Sequence, residues 1–288
     1  MRRWPWFLVA GLSAGAAFNI RPAALLPLGA IFLALLIARR SATVWLALGV
    51  MVALLPQFMF NRSRGILGLP VPERTGWLSE LQSSYAPFIV RYDTVIAVTE
   101  TPPSVSFCSP RMARALEGAV PTSPGELAVT YLERLPESLA MALQKIGAAL
   151  HWPLSSPYLT PAPVLNAVFA LLITAVTVIG ASVLLRHAFG RSHSLTFNRI
   201  VVLLAWAGSL VGLVTSVTET RFALALVLLG IVGCAVLAAD GLRPGQERSA
   251  RWWVAGAVAA VVALYAVGVT GMVHVFPFLA GLEDCTPL

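Results

Sequence analysis

Seven apolar stretches of the chain contain no aspartate, glutamate, lysine or arginine. Each is close to the ~17–25 residues that a helix needs to cross the ~30 Å hydrocarbon core of a bilayer. Because lipid offers no partner for unpaired backbone groups, we expect each stretch to be a helix. The stretches are residues 4–20, 22–38, 41–60, 164–185, 200–217, 222–239 and 252–273.

The spacing of these stretches predicts an all-α integral membrane protein with about seven transmembrane helices. Three lie in residues 1–60 and four in residues 163–273, and an extramembrane segment of 102 residues, 61–162, separates the two groups. Composition agrees with this interpretation, since 58% of residues are hydrophobic and 11% are charged, against about 25% charged in an ordinary soluble domain. Residues 274–288 form a short tail.

The first stretch has a second interpretation. Arg2 and Arg3, an apolar run and then residues 14–16, Ala-Gly-Ala, are typical of a cleaved secretory signal. The next stretch follows after a single turn, which favours a helical hairpin. We therefore expect the first stretch to be retained.

Arginine is distributed unevenly between the two sides of the membrane. With the N-terminus in the cytoplasm, ten arginines fall on the inside, and only Arg21 and Arg221 fall in short outside turns. The long segment is not counted, because the positive-inside rule applies to short loops. The bias predicts an N-in, C-out protein whose segment 61–162 is extracytoplasmic. The chain uses arginine almost to the exclusion of lysine. This composition favours a bacterial protein, which we place in the inner membrane.

The extracytoplasmic segment has signals of regular structure, which we interpret as α(+β). Residues 88–99, FIVRYDTVIAVT, predict a strand, and residues 123–126, Ser-Pro-Gly-Glu, predict a helix start. Past Pro136, an apolar stripe of Leu139, Leu143, Ile146 and Leu150 predicts an amphipathic helix over residues 137–150. This helix has two possible placements. We favour one in which it lies on the outer leaflet with Trp152 at headgroup level. In the other, it packs inward in a small soluble domain.

Two of the three cysteines, Cys108 and Cys285, fall outside on this topology, and Cys234 falls within a span. Because disulfides persist in oxidising compartments, we expect a Cys108–Cys285 bond that ties the tail to the outer segment. The alternative is two thiols that lie too far apart to bond.

Several classes of function lack their usual residues. No cysteine or histidine spacing predicts a metal site, and no glycine-rich phosphate loop predicts a nucleotide site, so any cofactor stays unidentified. The net charge of +7 is explained by topology, and we expect no nucleic-acid partner. A transporter is disfavoured because the apolar stretches contain no charge.

The outer turns carry the polar groups of greatest interest. Asn19 and Arg21 lie in the first turn, and Glu219 and Arg221 lie in the turn between the fifth and sixth stretches. An arginine at headgroup level suits a lipid phosphate, because its planar fork makes bidentate, charge-assisted hydrogen bonds. The plainer interpretation is that these charges mark where helices leave the membrane.

Three segments resemble parts of the GT-C class of polytopic glycosyltransferases. Residues 11–22, GLSAGAAFNIRP, resemble a GxxxG-type helix that runs into an Arg-Pro turn. Residues 219–222, ETRF, resemble the Glu-x-Arg-Phe/Tyr segment that opens a late helix. The third segment, residues 131–158, is similar to the amphipathic segment before the late spans and contains Pro136, Lys145 and Pro153.

The resemblance implies transfer of a sugar from a polyprenyl-phosphate donor on the outer face of the membrane. Arg21 and Arg221 would then bind the donor phosphate, while Asn19 and Glu219 would orient the substrate. Membrane lipids and the lipid-linked donor are the partners that follow from this hypothesis.

The chain departs from the class at its first outer turn, which holds no carboxylate. In the class, the catalytic acidic residue lies in the first outer loop of an N-terminal module, so this chain resembles the C-terminal part, and a separate N-terminal-module subunit is an expected partner. If the base belongs to this chain, we select Asp93, because it interrupts an otherwise apolar stretch. The competing hypothesis is a non-catalytic membrane scaffold or subunit that docks a partner through its outer segment.

Overall fold

The structure is a computed structural model of the chain. It divides into two compact units, residues 1–75 with 187–212 and residues 76–186 with 213–288, and each is described by itself. The residues that the structure describes are 4–20, 25–38, 40–64, 87–94, 104–116, 121, 123–152, 163–189, 197–215, 220–240, 247–270 and 274–277.

The described residues form ten α-helices, one 3-10 helix and three strands. The helices are α1 Trp4–Ile20, α2 Leu25–Ala38, α3 Arg40–Ser63, α4 Pro110–Ala115, α5 Pro124–Glu133, α6 Leu135–Leu150, α7 Pro163–Phe189, α8 Phe197–Thr215, α9 Leu224–Asp240 and α10 Glu247–Thr270. The 3-10 helix is Thr220–Ala223, and the strands are β1 Ile89–Thr94, β2 Ser104–Cys108 and β3 His274–Pro277.

In the first unit, α1 lies along α3 at backbone contact. A Cβ atom on Gly11 would collide with the carbonyl oxygen of Leu46, and one on Gly49 with the carbonyl oxygen of Leu8. The absence of side chains at these two glycines therefore allows the helices to approach closely. The α2 helix packs on the same α3 helix through a small cluster of buried residues, Leu35, Ala42 and Leu46.

In the second unit, the three strands form an antiparallel sheet in the order β1-β2-β3. The edge strand β3 comes from the tail of the chain, and its His274 is opposite Cys108 of β2. One face of this region packs against α4 and α5 in a core of Phe88, Ile89, Cys108, Met112, Ala113, Leu116 and Leu127. The sheet therefore joins the tail to the segment that precedes the fourth apolar stretch.

All seven apolar stretches are helical over their described residues. Three helices are long and apolar enough to cross a bilayer, within the ranges Arg40–Ser63, Val164–Arg186 and Trp252–Thr270, and the other four are shorter apolar helices. Large apolar side chains such as Met51, Met59 and Leu172 are exposed on these helices, as expected where lipid replaces water. The chain is a largely helical membrane protein.

The strand and helix signals in residues 61–162 are confirmed where the structure describes them. The predicted strand at 88–99 is β1, and residues 95–99 lie outside the described residues. Ser123 is the N-cap of α5, and its Oγ accepts a hydrogen bond from the backbone N–H of Glu126 at 3.3 Å. The interruption predicted at Pro136 lies at the start of α6, where a missing N–H is tolerated.

The helix predicted over residues 137–150 is confirmed as part of α6, but the exposure of its apolar stripe changes along the helix. Leu139 and Leu143 are 57% and 52% exposed, whereas Leu150 is 1% exposed. The helix is buried on another side, through Met141, Lys145 and Ala148, and its end packs against α10 and the 3-10 helix. Leu150 is drawn inward because the last turn of α6 is enclosed by these elements.

Candidate functional site

Most side chains of the predicted site lie outside the part of the chain that the structure describes. Arg21, Glu219 and Cys285 are among the residues left undescribed. The backbones of Asn19, Asp93 and Arg221 are described, in α1, β1 and the 3-10 helix respectively, without their side chains. Asp93 pairs with Val105 of β2. Their assigned roles stay predictions.

The structure describes one half of the predicted disulfide. Cys108, at the end of β2, is buried and disulfide-bonded, and Cys234 has a free thiol. The pairing of Cys108 with Cys285 stays a prediction, because Cys285 lies outside the described residues.

Arg91 of β1 holds the C-terminal end of α6. Its buried guanidinium donates from Nη1 to the carbonyl oxygens of Ala148 at 2.9 Å and His151 at 2.8 Å. It also lies 4.8 Å from the centre of the Phe107 ring, within the range of a cation–π contact. The carbonyl of Ala148 also accepts the backbone N–H of His151 at 3.2 Å, so Arg91 adds a charged donor at this end of the helix, where a cation suits the helix dipole.

Lys145, the only lysine in the chain, is fully buried on the inner side of α6. Its Nζ donates to the carbonyl oxygen of Val214, the next-to-last residue of α8, at 3.0 Å. Burial lowers the pKa of Lys145 from its ordinary 10.5 to about 7, because desolvation disfavours the charged ammonium. The free energy of this burial opposes folding, and the hydrogen bond offsets part of it.

Two aromatic contacts continue from the end of α6. The indole Nε1 of Trp152 donates to the carbonyl oxygen of Thr220 at 2.7 Å. The His151 ring stacks on the Tyr265 ring of α10, with 5.7 Å between the ring centres. We call Lys145, His151 and Trp152, with their partners Val214, Thr220 and Tyr265, the α6 junction.

Backbone contact brings α6 and α10 close at this junction. A Cβ atom on Gly147 would lie 2.7 Å from the backbone nitrogen of Gly268, closer than real Cβ contacts allow. These two glycines therefore let the side chains on either side of them reach their partners.

Sequence reasoning missed the role of the α6 junction. Lys145 was available as a signal, because a lone lysine in an arginine-rich chain points to a special environment. Arg91 was available too, since it interrupts the same apolar stretch as Asp93 two residues later. Neither signal identified a partner, because the side chains of Arg91 and Lys145 bond to carbonyls about sixty to seventy positions away in the sequence.

The described side chains hold no group of three or more metal-ligating residues. The α6 junction instead presents the N–H groups of Lys145 and Trp152 to backbone carbonyls. Its chemistry is that of positioning: it fixes the backbone on either side of the connection between α8 and the 3-10 helix. Arg221 is the second residue of that 3-10 helix.

Comparisons with known proteins give no relative. No protein-family model, no curated protein and no solved structure matches this chain.

Proposed function

We propose that this protein is a membrane glycosyltransferase of the GT-C type, acting on a polyprenyl-phosphate-linked sugar at the outer face of a bacterial inner membrane. One contact carries the proposal. Trp152 and Thr220 belong to two of the three segments on which the resemblance rests, and they are joined by a 2.7 Å hydrogen bond across 68 positions of sequence. Two motifs distant along the chain thus share one location.

The proposed donor site uses charges in the outer turns. In this proposal Arg21 and Arg221 each suit a donor phosphate, because an arginine makes bidentate hydrogen bonds. Asn19 and Glu219, each two residues before one of these arginines, would orient the substrate. A planar guanidinium suits this role better than lysine, which would contact phosphate as a point charge.

Three observations support an extracytoplasmic location for the site. A disulfide at Cys108 suits an oxidising compartment, and the distribution of arginine favours the N-in, C-out orientation with seven spans. The exposed leucines of α6, Leu135, Leu139 and Leu143, recur every four residues and form one apolar side, which suits the outer leaflet of the membrane.

The carboxylate that activates the acceptor comes from Asp93 or from a separate subunit with an acidic outer loop. Asp93 is in β1, two residues after the arginine that caps α6. Under the second arrangement this chain supplies the donor site and the partner supplies the base. Asp93→Asn separates the two arrangements, since it abolishes transfer only under the first.

The proposal predicts that Arg21→Ala and Arg221→Ala each reduce sugar transfer at least about a hundredfold, because each removes a charge-assisted contact to phosphate. The measurement uses membranes containing the full-length protein and a panel of radiolabelled polyprenyl-phosphate sugars. Arg114→Ala is the matched control, because Arg114 is an exposed arginine of α4 that bonds only within its own helix among the described contacts.

Binding of polyprenyl phosphate, followed by native mass spectrometry, provides a second readout that does not require an acceptor. Loss of binding in both turn variants, with the control unchanged, supports the donor site. Unchanged binding and transfer in both variants contradicts it. Purification of the chain with soluble outer proteins, and no binding of polyprenyl phosphate, would instead support the scaffold.

A further inference from the structure

The α6 junction contacts the chain on both sides of one short connection. Lys145 Nζ bonds to the carbonyl of Val214 at the end of α8, and Trp152 Nε1 bonds to the carbonyl of Thr220 at the start of the 3-10 helix. The two donors come from the last turn and a half of α6 and the residues just after it, while their acceptors are six positions apart. One structural element therefore fixes the chain before and after this connection.

The base of this arrangement is itself fixed. Arg91 bonds to the carbonyls of Ala148 and His151, which lie between Lys145 and Trp152 in the sequence. The close approach of Gly147 to Gly268 and the stacking of His151 on Tyr265 hold the same turn against α10. The two donors thus come from a part of the second unit that is itself held by several contacts.

Lys145 and Trp152 are an energetically unfavourable choice if their side chains only fill space. A fully buried lysine opposes folding through desolvation, and a methionine of similar length fills the same space without that cost. A tryptophan whose N–H bonds to a carbonyl fixes the orientation of that carbonyl, which a phenylalanine at the same position does not. Both residues are explained if their function is to hold particular carbonyls in place.

We propose that Lys145 and Trp152 are positioning residues that hold the 3-10 helix Thr220–Ala223, and with it Arg221, in the orientation that binds the donor phosphate. The effect on the donor rests on the proposed function, whereas the effect on the backbone does not. Neither residue contacts the reacting atoms. Their loss therefore affects the binding of the donor more than the rate of the chemical step.

The test uses the full-length protein with Lys145→Met or Trp152→Phe. Hydrogen exchange of the amides in residues 213–223, measured by mass spectrometry, should become about tenfold faster in each variant, since one hydrogen bond that restrains the segment is lost. Amides of α1 and α3 should exchange as in the natural protein. The KM for a polyprenyl-phosphate sugar should rise about tenfold, and kcat should change less than threefold.

Trp206→Phe is the matched control for the tryptophan. The Nε1 of Trp206 is buried and has no hydrogen-bond acceptor among the described residues, so its removal should leave exchange in residues 213–223 unchanged. Arg114→Met is the control for removing an exposed cation. Thermal midpoints in detergent confirm that each variant is folded before exchange is compared.

The outcomes separate this inference from the proposed function. If amide exchange is faster in the variants but no sugar transfer is detected even in the natural protein, the positioning role is supported and the proposed glycosyltransferase activity is contradicted. Normal exchange and normal KM in a folded Trp152→Phe protein overturn the inference, whatever the behaviour of the lysine variant.

Discussion

Two contacts within the second unit join helices by different means. Between α7 and α9, Gly180 lies against the backbone of Gly230 and Gly233, so that a Cβ atom on Gly180 would collide with the carbonyl of Gly230. At the α6 junction, a fully buried lysine and an indole N–H reach backbone carbonyls. The first contact depends on the absence of side chains, whereas the second adds particular side chains to its own glycine contact between Gly147 and Gly268.

The difference follows from what surrounds each contact. Between apolar helices in lipid there is little hydrophobic driving force, so close packing through small residues and backbone contacts supplies the attraction. The α6 junction joins α6 and the two residues after it to the end of α8 and the start of the 3-10 helix, and the last carbonyls of α8 have no intrahelical donor. Directional hydrogen bonds satisfy those carbonyls and also select one arrangement.

The largest expected effect comes from filling the glycine contact. Gly180→Leu should destabilise the protein by about 3 kcal/mol or more, because backbone atoms of α9 occupy the space that the side chain needs. The measurement is the fraction of protein that remains folded on heating in detergent. The control is Gly256→Leu, since a Cβ atom on Gly256 meets nothing within 4 Å. Equal stability of the two variants would show that the glycines do not set the helix spacing.

A smaller effect is expected from Arg91→Met at the C-terminal end of α6. The carbonyls of Ala148 and His151 lose a charged donor, which should lower the free energy of unfolding by about 2–3 kcal/mol. The exposed Arg114→Met serves for comparison and should change stability by less than about 0.5 kcal/mol. Similar losses in both would contradict the capping role of Arg91.

The smallest effect, and the one with a distinctive pH dependence, is that of Lys145→Met. The pKa of Lys145 in the folded state is about 7, below its ordinary 10.5, so the unfolded chain binds more protons between these values and the free energy of unfolding rises with pH. Below about pH 7 both states are protonated, and the residue adds no pH dependence.

The stability of the natural protein relative to Lys145→Met should therefore increase by about 2 kcal/mol from pH 7 to pH 9, at ~1.4 kcal/mol for each pH unit and proton. At pH 7 the variant should be as stable as the natural protein or more so, because no ammonium is desolvated. The measurement is thermal unfolding in detergent at both pH values. A stability difference that does not vary with pH would show that Lys145 titrates as an exposed lysine.

Much of the helical architecture could be predicted from the sequence, because apolar length alone determines where helices form in lipid. Ser123, Pro124 and Glu126 identified the start of α5 from local hydrogen bonding. The strand β1 followed from its β-branched and aromatic residues. In each case the determining interactions lie within a few residues of one another.

The α6 junction could not be predicted in the same way. Lys145 and Val214 are 69 positions apart, and Trp152 and Thr220 are 68 apart. Nothing in the local sequence of either partner specifies the other, since a backbone carbonyl exists at every position. The strand β3 was missed because its partner β2 lies far back in the chain and its own length is only four residues.

The position of β3 has a consequence for handling the protein in the laboratory. Because His274–Pro277 covers the edge of β2, an expression vector that replaces the residues after 270 with a purification tag would uncover that edge. Exposed strand edges recruit strands from neighbouring molecules. Tags fused after residue 288, with the strand intact, should yield material less prone to aggregation.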